Sequence, residues 1–204
     1  GARELIEIGT GFKGTFRAWA VAALKRLGDR AVGALIEARH ASDKDLRSFA
    51  SKQLDALGRF LPSEAAQVSD PEALADVLTA FGSTKDPDAI RAILGYLNAG
   101  RATVRDAARW AISQYGEGAR SALKELHDVT TGERAGDDWT AKKILEALLA
   151  SYDRVRLSEV FRLFDEGKSH RDAGRLEQAI VAYDTLLARA PMFERRAELA
   201  PAYL

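Results

Sequence analysis

The stretch VRDAARWAISQYG, residues 104–116, decides the fold, because its spacing occurs twice earlier in the chain. Its apolar positions fall on one face of an α-helix at 100° per residue, and its final glycine can end that helix. FRAWAVAALKRLG at 16–28 and LRSFASKQLDALG at 46–58 follow the same pattern. Each copy has an apolar residue, then arginine, then alanine three positions later, and closes on an apolar residue and glycine. An internal repeat of this size predicts a fold built from repeated helical units.

Composition limits the classes of function that the chain can have. It has 204 residues, 47% of them apolar, with a formal net charge of zero and no cysteine. Disulfides and thiolate chemistry are therefore excluded. The three histidines, His40, His127 and His170, have no partner at the spacing of a metal site, and no phosphate-binding loop or nucleophile motif is present. We therefore expect no metal, no cofactor and no catalytic residue.

The N-terminus and the apolar runs of the sequence give information on localisation. The longest apolar run, residues 18–24, is too short to span a bilayer, and no signal peptide is visible. We expect a cytoplasmic protein, or a periplasmic one if a signal peptide has been removed. The chain begins with Gly1-Ala2 and no methionine, and we expect it to be a piece of a longer protein.

The remaining elements follow from periodicity and capping residues. We expect the glycines in residues 9–11 to break a first helix, and Ser42-Asp43 to cap the helix of the second copy. Residues 71–82 form a weaker copy without the arginine, residues 130–138 read as a loop, and residues 139–152 as a helix. The copies end at intervals of about 24 to 36 residues, which is typical of stacked helix pairs.

This pattern resembles HEAT-like (armadillo-type) repeats over roughly residues 3–154. The resemblance implies an all-α fold, a right-handed α-solenoid of stacked antiparallel helix pairs. In that family the repeated arginine, here Arg17, Arg47 and Arg105, usually pairs with acidic or carbonyl groups of a neighbouring repeat. Contact with a ligand is the alternative for these three side chains.

The last part of the chain follows a second pattern. Residues 160–191, VFRLFDEGKSHRDAGRLEQAIVAYDTLLARAP, resemble a tetratricopeptide repeat, in which the small Gly167 and Ala179 let two helices approach and Tyr183 fills the space beside them. The sequence departs from that family at Leu163, Glu166 and His170. We therefore divide the chain into a HEAT-like array at 1–154 and a tetratricopeptide repeat at 155–204.

Residues 193–204 are expected to begin a further tetratricopeptide helix. With no neighbouring repeat to cover it, that helix would expose Leu199, Tyr203 and Leu204. Exposed apolar patches associate with other apolar surfaces. We therefore expect self-association through an exposed C-terminal helix.

Candidate partner-binding residues lie in both parts. Trp110 points about 145° away from the apolar face of its own helix, so it is either buried against the next repeat or exposed as an anchor in an inner groove. Trp19 lies nearer its own apolar face and is expected in the core. The other candidates are charged neighbours of Trp110, a tryptophan at a helix start, and positions that line the groove of tetratricopeptide proteins: Asp106, Arg109, Trp139, Phe161, Phe164, Lys168 and Arg171. For Phe161 and Phe164 the alternative is packing against the last HEAT-like pair.

These features favour a scaffold or adaptor that binds a protein or peptide along the inner groove and is not an enzyme. Two alternatives stay open: a nucleic-acid-binding HEAT-like protein, and a subunit of a HEAT-like lyase. Zero net charge argues against a nucleic-acid partner. The carboxylate-binding form of the tetratricopeptide groove has Lys and Asn where this chain has Phe164 and Lys168. An apolar peptide with some negative charge would suit this groove better.

Overall fold

The computed structural model describes residues 1–191, 193 and 195–204. This part of the chain is 77% helical and contains no β-strand, which confirms the all-α class. The α-helices are α1 (Ala2–Gly11), α2 (Thr15–Leu27), α3 (Val32–Arg39), α4 (Lys44–Ala56), α5 (Pro71–Thr84), α6 (Ile90–Leu94), α7 (Ala102–Ser113), α8 (Arg120–Thr131), α9 (Ala141–Asp172) and α10 (Leu176–Arg189). Short 3₁₀ turns lie before α3, α6 and α8, and a 3₁₀ segment, Arg196–Ala202, ends the chain.

The prediction that glycines interrupt the first helix was wrong. α1 runs without a break to Gly11, and Gly9 is buried inside it. A Cβ atom at Gly9 would collide with the ring of Phe49 in α4. The glycine therefore allows α1 and α4 to approach closely, and its backbone stays helical because packing outweighs its low helix propensity.

The repeated pattern produces the predicted helix starts and buried faces. Asp43 caps α4 by accepting a hydrogen bond from the Leu46 amide at 2.8 Å. In α7 the predicted apolar face is buried throughout, with Ala108 fully enclosed. The apolar positions of that face are Val104, Ala108, Ala111, Ile112 and Tyr115.

Helices pack mainly on near neighbours in the chain. α3 packs on α4 and α5, α5 packs on α7, and α8 packs on α9. Two glycines permit the closest of these approaches. A Cβ atom at Gly82 in α5 would lie 2.6 Å from the Cα atom of Ala111, and one at Gly33 in α3 would lie 3.0 Å from the backbone of Asp76. Small residues thus fix how near consecutive helices can lie.

One long helix, α9, joins two apolar cores. The sequence predicted a helix ending near residue 152, but α9 continues to Asp172 without interruption. The first core extends from α1 to Leu148, and the second begins at Val160 and includes α10 and the C-terminal segment. The stretch between them contains no glycine or proline to stop the helix. The proposed division near residue 154 therefore falls inside a helix.

The second core has the small-residue contact expected for its helix pair. Gly167 and Ala179 are buried between α9 and α10, and the ring of Tyr183 lies directly against Gly167. α9 and α10 are joined at Gly174, which adopts a left-handed conformation with φ of 73°. This local packing prediction is confirmed, while the repeat type stays a prediction.

The C-terminal segment differs from the predicted helix. It forms the 3₁₀ segment Arg196–Ala202 with Pro201 inside it, and Leu199 is buried in the second core where exposure was expected. Pro201 lacks the amide donor that a longer α-helix would use. Tyr203 and Leu204 are exposed, as predicted, and Glu194 of the predicted helix lies outside the described residues.

Within the described residues, no helix is both long enough and apolar enough to cross a membrane. Although α9 has 32 residues, charged side chains recur along its length.

Candidate functional site

Three of the predicted partner-binding residues meet in one cavity between α7, α9 and the end of α10. They are Asp106, Arg109 and Phe161. The cavity has a volume of about 700 Å³ and an open mouth. Four arginines and a set of apolar side chains form most of its wall. The lining residues are Ala102, Arg105, Asp106, Arg109, Arg156, Leu157, Val160, Phe161, Arg189, Ala190, Pro191 and Phe193.

α7 supplies one wall, because Arg105 and Arg109 are four residues apart and lie on the same helix face. Arg105 is only 6% exposed and donates from Nη1 to the Ala99 carbonyl at 2.9 Å. Arg109 donates from Nε to the Leu97 carbonyl at 3.2 Å. The turn before α7 therefore holds both guanidinium groups in place.

α9 supplies the opposite wall and the principal counter-charge. The carboxylate of Asp153 accepts from Arg109 Nη2 at 2.7 Å and from Arg156 Nη2 at 3.3 Å. Arg189, at the end of α10, forms an ion pair with Glu159 of α9. Asp106 is exposed at the rim. The arginines that line the cavity are thus positioned by carboxylates and carbonyls, and the described bonds use only some of their N–H donors.

The charges inside this wall act on one another. Burial lowers the pKa of the Arg105 guanidinium, the nearby charges of Arg156 and Arg109 lower it further, and Asp106 partly opposes them. Burial alone would raise the pKa of the Asp153 carboxyl, but hydrogen bonds and charges from Arg109 and Arg156 lower it below its ordinary value. Among the described residues around the cavity, four arginines face three carboxylates, those of Asp106, Asp153 and Glu159, so the wall carries a net positive charge although the whole chain has none.

An apolar surface lies beside the arginines. Leu157 and Phe161 of α9 are partly exposed, Phe161 at 42%, and the Phe161 ring lies 5.8 Å from that of Phe193 in an edge-on contact. Val160 and Phe193 are buried in the second core and support this surface from below. A ligand with an apolar group next to a negative charge could contact both kinds of wall at once.

The two tryptophans of the prediction lie outside the cavity. Trp110 is 43% exposed and packs over Gly82 of α5, so it is neither fully buried nor part of the arginine wall. Trp139 is half-buried against the first core, where its ring lies 5.7 Å from the buried His127 ring and Lys143 lies over its face at 4.5 Å. Trp139 therefore has a packing role in this structure.

The residues predicted to line a tetratricopeptide groove also differ from one another in their exposure and contacts. Phe164 is buried in the second core against Tyr183 and Phe193, so predicting it as an accessible binding residue was wrong. Its position on the inner face of α9 makes it a core residue. Lys168 is exposed. Arg171 pairs with Asp172 at 2.9 Å and donates to the Glu198 carbonyl at 3.1 Å, which ties α9 to the C-terminal segment.

The sequence reading missed Arg156, Leu157 and Arg189, and favoured a structural role for Arg105. Residues 156, 157, 160 and 161 follow the i, i+1, i+4, i+5 spacing of a single helix face. This spacing alone does not show that the face meets α7, because that contact depends on α9 continuing unbroken through residue 154. Arg105 donates to a carbonyl, but this carbonyl belongs to the turn before its own helix, whereas a group of a neighbouring repeat was expected; Arg17 instead lies over the ring of Phe49 at 5.4 Å.

A second concave surface lies near the start of the chain. Ile8, Phe12, Thr15, Phe16 and Trp19 line an apolar hollow of about 620 Å³. Trp19 is 52% exposed, so its predicted place in the core was wrong. α2 packs mainly on α1, and no described helix covers its aromatic face.

The described residues contain no group of three or more His, Cys, Asp or Glu side chains placed to hold a metal ion. The chain matches no protein-family model, and comparison with curated proteins and solved structures also finds no match. The case for function therefore rests on the geometry of the arginine-lined cavity.

Proposed function

We propose that this chain is an interaction module that binds a segment of a partner protein in the arginine-lined cavity. The observation that carries the proposal is the cavity itself, in which four guanidinium groups lie beside the partly exposed Leu157 and Phe161. Arginine and aromatic side chains are enriched among the residues that dominate binding energy at protein interfaces. A peptide with acidic and apolar residues matches this wall in both charge and polarity.

We further propose that the helices form a right-handed α-solenoid of HEAT-like pairs that continues into a tetratricopeptide repeat. Packing between near neighbours in the chain supports this arrangement, since each unit of a solenoid contacts those beside it. The equivalent arginines of two copies, Arg47 and Arg105, donate to a carbonyl six residues upstream, Ala41 and Ala99. On this proposal the cavity lies where the two repeat types meet.

A binding role is proposed over a catalytic one because of the side chains that line the cavity. Guanidinium groups stay protonated at any ordinary pH, so they hold anions without exchanging protons. Among the described lining residues the one carboxylate, that of Asp106, is exposed at the rim. Apolar side chains complete the surface, which suits recognition of a ligand.

A displayed library of random peptides, selected on the purified chain, tests the proposal. We expect selected peptides to combine acidic and apolar residues and to lose binding to the Phe161→Asp variant. The matched control is Val129→Asp, which changes an exposed apolar residue of α8 outside the cavity. Equal loss of binding in both variants, or selected peptides insensitive to Phe161→Asp, would contradict the proposal.

The same protein and variants distinguish a protein partner from a nucleic acid. Nucleic-acid binding falls steeply and linearly with the logarithm of salt concentration, because phosphate contacts release counterions. We expect no such binding to duplex or single-stranded oligonucleotides at physiological salt. Saturable oligonucleotide binding that is lost in the Phe161→Asp variant would contradict the peptide proposal and would identify a nucleic acid as the ligand of the cavity.

A further inference from the structure

The arginine-lined cavity carries a more specific inference, which rests on the proposed function and concerns the chemistry of the ligand. Arg105, Arg109 and Arg156 act on one another electrostatically at the wall between α7 and α9. Two carboxylates, Asp106 and Asp153, lie within the same group. Counted over the described residues, these three cations and two anions leave one positive charge, because Arg189 is already matched by Glu159.

Arg105 is the most buried cation of this group. It is 6% exposed, and its described hydrogen bond uses one of its five N–H donors. Burying a guanidinium beside two others is unfavourable unless an anion compensates for the lost hydration. Asp153 compensates Arg109 and Arg156 directly, whereas Asp106 reaches Arg105 by charge alone.

Arg156 shows a related deficit on the α9 side. Its Nε atom is buried and has no hydrogen-bond partner, although its Nη2 atom contacts Asp153. Buried donors in folded proteins are nearly always paired. A small movement of this side chain towards an anion in the cavity would supply the missing acceptor. The two sides of the cavity therefore each have unused guanidinium donors.

We propose that the cavity binds a single carboxylate of a peptide between Arg105 and Arg156, with the adjoining apolar side chain against Leu157 and Phe161. A monoanion neutralises the single excess charge, whereas a phosphate dianion would exceed it. A planar carboxylate also matches the paired donors of a guanidinium group. Exposed Asp106 repels an anion at the rim and so directs the carboxylate to the deeper position.

The probes for this proposal are small peptides that differ in one charge. N-acetyl-leucyl-phenylalanine as the free acid carries a terminal carboxylate, and its C-terminal amide does not. N-acetyl-leucyl-aspartyl amide carries a side-chain carboxylate, with the asparaginyl amide as its uncharged match. Titration followed by NMR of the arginine Nε–Hε signals gives both the affinity and the location.

We expect at least one acid to bind about tenfold or more tightly than its uncharged match, as charged hydrogen bonds of this kind imply. Comparison of the two acids shows whether the cavity prefers a terminal or a side-chain carboxylate. Arg156→Met should abolish most of the difference between acid and match without weakening the uncharged peptide. Because Arg105→Met removes a buried structural contact, Arg105→Lys is the companion variant, and it should reduce the same difference.

Arg47→Met is the matched control, since Arg47 makes the equivalent carbonyl contact in α4 but lines no part of this cavity. It should leave the preference for the acids unchanged. Equal binding of the acids and their matches would overturn the carboxylate proposal and leave peptide binding in the cavity standing. An unchanged preference in Arg156→Met, or no saturation by either acid at about 10 mM, would also overturn it.

Discussion

α4 and α7 carry the same sequence pattern but have different surroundings. Both use an arginine near the start of the helix to bind the carbonyl of a preceding turn, Arg47 to Ala41 and Arg105 to Ala99, each at 2.9 Å. Arg47 is only half-buried, whereas Arg105 is almost completely buried and lines a cavity. The shared contact positions the turn, and the neighbouring α9 gives Arg105 its second role.

The two helices differ at partly or fully exposed positions, and these differences give each helix a different surface chemistry. α7 has Asp106 and Arg109 where α4 has Ser48 and Ser51. Two of the apolar positions, by contrast, are similar and fully buried in both helices, Ala50 and Leu54 in α4 and Ala108 and Ile112 in α7. The repeated residues therefore determine packing, while the variable residues on the remaining face determine what a given unit can bind.

The largest effect on stability is expected from core truncations, which test whether α4 and α7 are packed equally well. Leu54 in α4 and Ile112 in α7 hold equivalent positions and are fully buried. Leu54→Ala and Ile112→Ala should each cost about 2–5 kcal/mol in the free energy of unfolding, because each leaves a cavity. Denaturant titration measures both, with Val129→Ala at an exposed site as the control. A cost near zero for one helix would break the comparison.

A second prediction concerns the small residue of the pattern. Ala50 and Ala108 are fully buried at equivalent positions. Ala50→Leu and Ala108→Leu should each overpack a helix contact and lower stability by about 1–3 kcal/mol. Thermal unfolding compared with Ala22→Leu, at an exposed position of α2, isolates the packing effect. An unchanged melting temperature for Ala108→Leu would mean that its face is wrongly assigned.

A third prediction uses one position at which the two copies carry different residues. Tyr115 follows α7 where Leu57 follows α4, and its hydroxyl donates to the Asp86 carbonyl at 2.7 Å. Tyr115→Phe should cost about 0.5–1.5 kcal/mol because it removes this hydrogen bond and leaves the Asp86 carbonyl with the Ala89 amide as its described donor. Tyr183→Phe is the control, because the Tyr183 hydroxyl is buried without a hydrogen-bond partner. Equal losses in chemical denaturation would contradict the assignment.

The smallest effect concerns acid stability at the cavity. The pKa of Asp153 is lowered in the folded chain, so the folded state binds this proton less readily than the unfolded state. Its stabilising contribution is therefore present above the unfolded pKa and is lost as the pH falls through the folded one, below about pH 4. Because Asp153 is partly exposed, the contribution should stay below about 1 kcal/mol.

Melting curves of Asp153→Asn against the parent chain between about pH 3 and pH 7 check this contribution. The stability difference should be greatest near neutral pH and should shrink towards the acid end. Glu125→Gln is a suitable control, because that carboxylate pairs with Arg91 at an exposed site. A difference that grows as the pH falls would show that the sign of the Asp153 shift is wrong.

Periodicity was enough to predict the all-α class, a helix over the copy at 16–28 and the buried face of α7, since these depend on local spacing. It failed at Gly9, where contact with Phe49 decides the conformation, and at Phe164, where the direction of one helix face decides burial. The cavity was only partly predictable. Asp106, Arg109 and Phe161 were expected to bind a partner, but their meeting with Arg156 depends on the continuity of α9.

The unbroken α9 also has a consequence for how the chain unfolds. A helix of 32 residues is about 48 Å long, and its two ends belong to different apolar cores. Loss of either core would leave half of this helix without packing, and an isolated helix of that length is only marginally stable in water. Opening of either core should therefore destabilise the half of α9 that packs in it, and amide protons along the middle of α9 should exchange with solvent when either core opens.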